Sequence, residues 1–169
     1  MTPEETKAHK ALSFVIPLLE KHELQWEITG GFACYVYGVE RPITDIDIDI
    51  LGSKNDAAFL AFMEEVAPYV TQPLEHFVDQ NYDNYNFEMK VEGQLLDICP
   101  TQEMNIFNKE IGTYENFYKD GFPRPELQDF FGLKLPLMSK ELVIKNKTML
   151  VWQRDSDRRD IEGLRAIKS

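Results

Sequence analysis

Apolar positions recur along this chain with two different periods, and the switches between them mark out its elements. Leu12, Val15, Ile16 and Leu19 fall at helical spacing, so residues 3 to 20 are predicted to form a helix with Thr2 as N-cap, Pro3 in the first turn and Pro17 as a kink point. Residues 24 to 29 read as a short strand. Gly30-Gly31 breaks it ahead of an apolar helical segment, residues 32 to 37, that stops at Gly38. Within residues 44 to 51, Asp45-Ile46-Asp47-Ile48-Asp49-Ile50 alternates strictly between carboxylate and isoleucine. That is the period of a strand, with the isoleucines facing a core and the three carboxylates sharing the other face. Helical spacing returns over residues 56 to 66, where Phe59, Phe62, Met63 and Val66 form a core stripe.

Residues 85 to 91 and 95 to 99 are predicted strands joined by a hairpin at Glu92-Gly93-Gln94, which places Asp97 inside the second strand. From 100 to 131 the chain is polar, aromatic and weakly periodic, and loops with one or two short helices are expected there. A brief strand over 132 to 136, a helix from Ser139 to about 153 and a last helix over 157 to 167 complete the pattern. There is no repeat or linker. The 169 residues are expected to form one domain with an α/β core over about 24 to 100 and a C-terminal helical part over about 139 to 167.

Charge narrows the function classes. The formal charge is −11, which disfavours unaided binding to a nucleic-acid backbone, since that affinity comes from Lys and Arg. It is also uneven: residues 134 to 169 carry +4 and residues 1 to 133 carry −15. The two cysteines, Cys34 and Cys99, lie in apolar segments without zinc spacing and read as buried thiols. No apolar run is long enough to span a bilayer and the N-terminus lacks a leader pattern, so a cytoplasmic location and no membrane partner are expected.

The chemistry concentrates in two places. A strand, a Gly-Gly turn and a helix expose free backbone N–H groups at a positive dipole end, a place for phosphate. Three carboxylates on one strand face repel one another without a cation, and hard oxygen donors suit Mg²⁺ or Mn²⁺. Rossmann and P-loop fingerprints are absent. An EF-hand reading of Asp45, Asp47, Asp49 and Asp56 fails because the required turn glycine is Ile50. Asp97, flanked by Leu96 and Ile98, is an acid in an apolar strand and needs a partner. His9, His22 and His76 occur singly and read as structural or surface residues. The acids between Glu75 and Glu88 read as a solvated face, though one that attracts cations.

In order, Gly30-Gly31-Phe32-Ala33, Gly38, Arg41, Asp45-Ile46-Asp47 and Asp97 resemble the signature of the nucleotidyltransferase superfamily that includes DNA polymerase β and the kanamycin and lincosamide nucleotidyltransferases. Lys147, Arg154, Asp157 and Asp160-Ile161-Glu162-Gly163-Leu164 are similar to the C-terminal ending of its short members. The resemblance implies a nucleotidyltransferase fold, a small mixed sheet with helices on one face and C-terminal helices. It implies transfer of a nucleoside monophosphate from an NTP, expected to be ATP, to an acceptor hydroxyl. Asp45, Asp47 and Asp97 would be both catalytic and the ligands of two Mg²⁺ ions; Gly30, Gly31, Arg41 and Lys147 would bind the nucleotide. The acidic body favours a small hydroxylated acceptor, such as an aminoglycoside or lincosamide-type antibiotic, over nucleic acid. The alternatives are a toxin-type enzyme modifying tRNA or protein, and a catalytically silent nucleotide-binding or regulatory partner. Asp49 has no place in the signature and is either a supporting group or a solvated charge.

Overall fold

The computed structural model describes residues 1–167; residues 168 and 169 of the expected domain lie outside the described residues. Helix α1 (Pro3–Lys21) starts in a capping box: the Glu5 N–H donates to Thr2 Oγ1 at 3.2 Å while the Thr2 N–H donates to the Glu5 carboxylate. The chain continues through β1 (Trp26–Thr29), α2 (Gly30–Tyr37), β2 (Asp45–Ile50) and α3 (Ala57–Val66), so that both glycines fall in the first turn of α2. Next comes β3 (Val70–Val78), which the hydrophobic pattern does not predict. None of its residues is fully buried, so its alternation carries little apolar contrast.

Strands β4 (Tyr82–Val91) and β5 (Gln94–Pro100) form the predicted hairpin. Its two turn residues, Glu92 and Gly93, have φ of 51° and 81°, the left-handed pair that two-residue hairpin turns require. The expectation of loops and short helices over 100 to 131 is only partly met. A 3₁₀ turn, Thr101–Glu103, is followed by β6 (Asn105–Asn108), β7 (Thr113–Asn116) and β8 (Glu126–Phe130). These strands have four or five residues and bury few of them, which is why their sequence reads as loop. Strand β9 (Leu133–Leu137) and helices α4 (Lys140–Met149) and α5 (Asp155–Ala166) complete the described residues.

The strands join in one mixed sheet of order β7-β6-β4-β5-β2-β1-β9-β8, with β3 paired to β4. Pairings β2–β5 and β1–β9 are parallel and the others antiparallel. Ile46, Ile48 and Ile50 lie on the core face with Phe87, Leu96 and Ile98, all essentially inaccessible to water. Leu12, Val15 and Leu19 of α1 and Phe59 and Phe62 of α3 belong to the same core, the two α3 rings meeting Phe87 at 6.1 and 6.4 Å. Each such side chain contributes about 1.5–3 kcal/mol by burial. Because side chains alternate, sealing the isoleucines into this layer forces the intervening carboxylates onto the opposite face.

Candidate functional site

On that opposite face, Asp47 of β2 stands in register with Asp97 of the parallel neighbour β5, and Thr29 at the end of β1 is its partner on the other side. Adjacent strands lie about 4.8 Å apart, so the carboxylates of Asp47 and Asp97 are neighbours and Asp45 follows two residues along on the same face. All three line the floor of a cavity of about 510 Å³. Burial first, and then the charges of Asp45, Asp97 and Asp49, hold the Asp47 carboxyl well above the usual carboxylate range. Burial pushes Asp97 up to about 6, against the pull of an Asn86 amide that donates to its Oδ1 at 2.8 Å.

The glycine pair sits directly over these acids. Gly30 has φ of 62°, and a Cβ built on it would lie 1.9 Å from Asp47 Oδ2; a Cβ on Gly31 would lie 2.3 Å from an Arg41 Nη. Only bare backbone lets the first turn of α2 approach the carboxylate floor this closely. That turn has no side-chain cap, so its leading N–H groups are the donors a helix start leaves without intrahelical partners.

Among the described residues, no three His, Cys, Asp or Glu side chains form a ready-made metal cage. The site nonetheless fits a hard divalent ion of the Mg²⁺ type. Such an ion prefers one or two carboxylates plus water and substrate phosphate to an all-protein cage. Asp45 and Asp47 offer two hard donors beside an uncapped helix start, and the mutual repulsion that raises Asp47 is what a cation relieves.

The basic wall comes from the C-terminal helices and the segment before β2. Arg41, Lys147, Arg154 and Asp157 line the cavity, but these charges are engaged. Lys147 Nζ lies 2.8 Å from Asp157 Oδ1 and 3.0 Å from Asp160 Oδ2, and Arg41 pairs with Asp160. Burial works against the charge on Lys147, yet these two ion pairs leave it held above its ordinary value. Of the residues expected to bind nucleotide, Gly30 and Gly31 therefore stand beside the acids, whereas Lys147 is buried in a scaffold network at the cavity wall. Arg41 links that network to the Gly31 turn.

Asp49 shares the cavity face with the other acids but is engaged in a buried arrangement that sequence reasoning missed. Tyr118 Oη lies 3.0 Å from Glu27 Oε1 and forms a short hydrogen bond with Asp49 Oδ2; Glu27 and Asp49 are register partners on β1 and β2. Burial, then the charge of Asp49, pushes Glu27 up to about 8, and burial raises Asp49 to about 7. A hydroxyl has one proton and two carboxyl groups address it, so one acid carries a proton of its own. The available signal was Glu27 lying between Trp26 and Ile28, the same acid-in-apolar-strand pattern as Asp97. Tyr118 lies in the stretch without periodicity and carried no signal. Cys34 and Cys99 are free and buried, as expected.

Compared with solved structures, this architecture has the nucleotidyltransferase fold. A Thermotoga maritima protein assigned as a nucleotidyltransferase aligns over 83% of this chain and 82% of its own, with 18% identity and a TM-score of 0.65. The lincosamide antibiotic adenylyltransferase LnuA, solved with lincomycin bound, aligns over 99% of both chains at 21% identity and a TM-score of 0.57. ANT(2″)-Ia, solved in complex with adenylyl-2″-tobramycin, aligns over 98% of this chain and 96% of its own at 19% identity and a TM-score of 0.50. No family model and no curated protein sequence matches the chain. Among the described residues, no helix is long and apolar enough to cross a membrane.

Proposed function

We propose that this protein is a metal-dependent nucleotidyltransferase that moves a nucleoside monophosphate from an NTP, ATP in the first instance, to a hydroxyl of a small molecule. The observation that carries the reading is the register match of Asp47 with Asp97 on the cavity floor, beneath a helix start that only glycine allows so near. Asp45 and Asp47 would hold Mg²⁺, which supplies charge neutralisation of the triphosphate and of the leaving pyrophosphate. The first-turn N–H groups at Gly30 and Gly31 bind phosphate oxygens at the positive end of α2. The acceptor oxygen forms its bond to the α-phosphorus as the bond to pyrophosphate breaks on the opposite side. Asp97, with a pKa raised to about 6, is ionised at neutral pH yet basic enough to take the hydroxyl proton. Arg41 and Lys147 hold the wall in shape, and Lys147 adds a favourable field at Asp47.

The fold neighbours that act on lincosamide or carry an adenylylated aminoglycoside support a small acceptor, as does the −15 charge of residues 1 to 133. The test is incubation with Mg²⁺ and each labelled NTP against separate pools of aminoglycosides, lincosamides, tRNA and proteins. Label is expected on a small molecule, with pyrophosphate released, and Asp45→Asn should abolish it while leaving the circular dichroism unchanged. Full activity in Asp45→Asn would refute the metal-site assignment, and label on tRNA alone would refute the acceptor class.

A further inference from the structure

Helix α5 buries an unusual stripe. Its inward positions, Asp157, Asp160, Ile161 and Leu164, have the spacing of an apolar face, yet two of the four are carboxylates. Burying an acid is costly without a cation. Asp157 meets Lys147 at the cavity wall, whereas Asp160 is 2% exposed and its Oδ2 meets two cations, Lys147 Nζ at 3.0 Å and the Arg41 guanidinium. That guanidinium lies face-on to Gly31: a Cβ built there would stand within 2.6 Å of its Nη1, Nη2 and Cζ atoms at once. Three residues beyond Asp160, Gly163 sits inside α5, where a Cβ would lie 2.8 and 3.0 Å from the two methyl carbons of Val39. Glycine weakens a helix interior, and this one keeps helical backbone, so what calls for it is the close approach of α5 to Val39. Arg41 follows Val39 by two residues in the chain.

We infer that Gly163 and Asp160 are positioning residues for nucleotide binding, acting through Arg41 on the turn that begins α2; this rests on the nucleotidyl-transfer reading above. With no side chain at 163, α5 settles against Val39, and that height brings the Asp160 carboxylate to the Arg41 guanidinium. Asp160 holds the guanidinium flat against Gly31, and Lys147 braces the same carboxylate oxygen from α4. The first turn of α2 is thereby clamped between two groups, the Asp47 carboxylate at Gly30 and the Arg41 guanidinium at Gly31. Because that turn has no side-chain cap, the clamp sets where its N–H groups stand to receive phosphate. Charge alone would give Asp160 the opposite effect. A carboxylate behind the phosphate position repels a triphosphate, so removing its charge would tighten nucleotide binding if Asp160 did nothing else. The positioning role predicts that binding weakens.

Calorimetric titration of the whole protein with ATP and Mg²⁺ separates the two roles, for wild type, Asp160→Asn, Gly163→Ala and the double variant Val39→Ala/Gly163→Ala, with thermal melts alongside. Asp160→Asn is expected to weaken ATP binding by about tenfold, on a scale where a displacement of about 1 Å can cost about a hundredfold in rate. Gly163→Ala, which drives α5 off Val39, should weaken it by about fivefold. The double variant removes the methyl carbons that the new Cβ meets, and its affinity should return to within about twofold of wild type. Truncating a core valine lowers stability further, so affinity that recovers while the melting temperature falls is a result a merely structural role would not give. Equal or tighter binding in Asp160→Asn, undiminished binding in Gly163→Ala, or no recovery in the double variant would each overturn the inference. If Asp160→Asn does not fold, the Gly163 variants decide alone. Wild-type protein that fails to bind Mg²⁺ and ATP strikes the nucleotidyl-transfer reading itself.

Discussion

Replacing Glu27 with Gln should make the protein more stable in alkaline solution and change little in acid. Glu27 is wholly inaccessible to water, its Oε1 shares the Tyr118 hydroxyl with Asp49, and its Oε2 has no partner. Burial and the Asp49 charge therefore favour the neutral acid, raising Glu27 from 4.5 to about 8. An acid with a raised pKa contributes its full stability below the unfolded value, near pH 4.5, and loses it as pH climbs through about 8. At about 1.36 kcal/mol per pKa unit, the whole rise is worth about 5 kcal/mol as an upper bound. A carboxamide keeps the shape of the protonated acid and cannot ionise. Urea unfolding of wild type and Glu27→Gln from pH 5 to pH 9 provides the assay. Near pH 5 the two curves should lie close together; by pH 9 the variant should be the more stable by about 2–5 kcal/mol, with similar m-values. Comparing the two proteins cancels the other raised carboxyls, so two curves that stay parallel across the range would show that Glu27 does not carry the buried proton.

Three further outcomes are expected. Gly30→Ala puts a methyl group 1.9 Å from Asp47 Oδ2 at a positive φ, so it should cost about 1–3 kcal/mol in denaturant melts and depress turnover; a stable, fully active variant would mean the turn is not held against the acid. Lys147→Met leaves Asp157 and Asp160 short of their buried cation and should lose about 3–5 kcal/mol; unchanged stability with weakened ATP binding would make Lys147 a nucleotide contact and not a scaffold residue. Thermal stabilisation by Mg²⁺ with ATP should be larger at pH 8 than at pH 5.5, because the raised Asp47 must shed its proton before it meets the cation, and its neighbour Asp97, near 6, gains its attracting charge over the same range. Equal shifts at both pH values would count against carboxylate ligation.

What the sequence determined by itself is what depends on local order. The strict alternation from Asp45 to Ile50 defines a strand and its two faces, Gly30-Gly31 defines a turn before a helix, and an acid between Leu96 and Ile98 needs a partner. These are properties of neighbours in the chain, so periodicity exposes them. The tertiary structure decided which strands lie side by side. The parallel register of β2 and β5 puts Asp97 beside Asp47, and a shift of one residue would send Asp97 to the opposite face. It also decided that Lys147 would be consumed by Asp157 and Asp160, and that Asp49 would meet Glu27 and Tyr118, residues 22 and 69 positions away along the chain. Short strands such as β6 and β7 stayed hidden because they bury too little to show a period. Pairing, burial and proton sharing between distant residues are set by packing, and the chain's local pattern has no term for them.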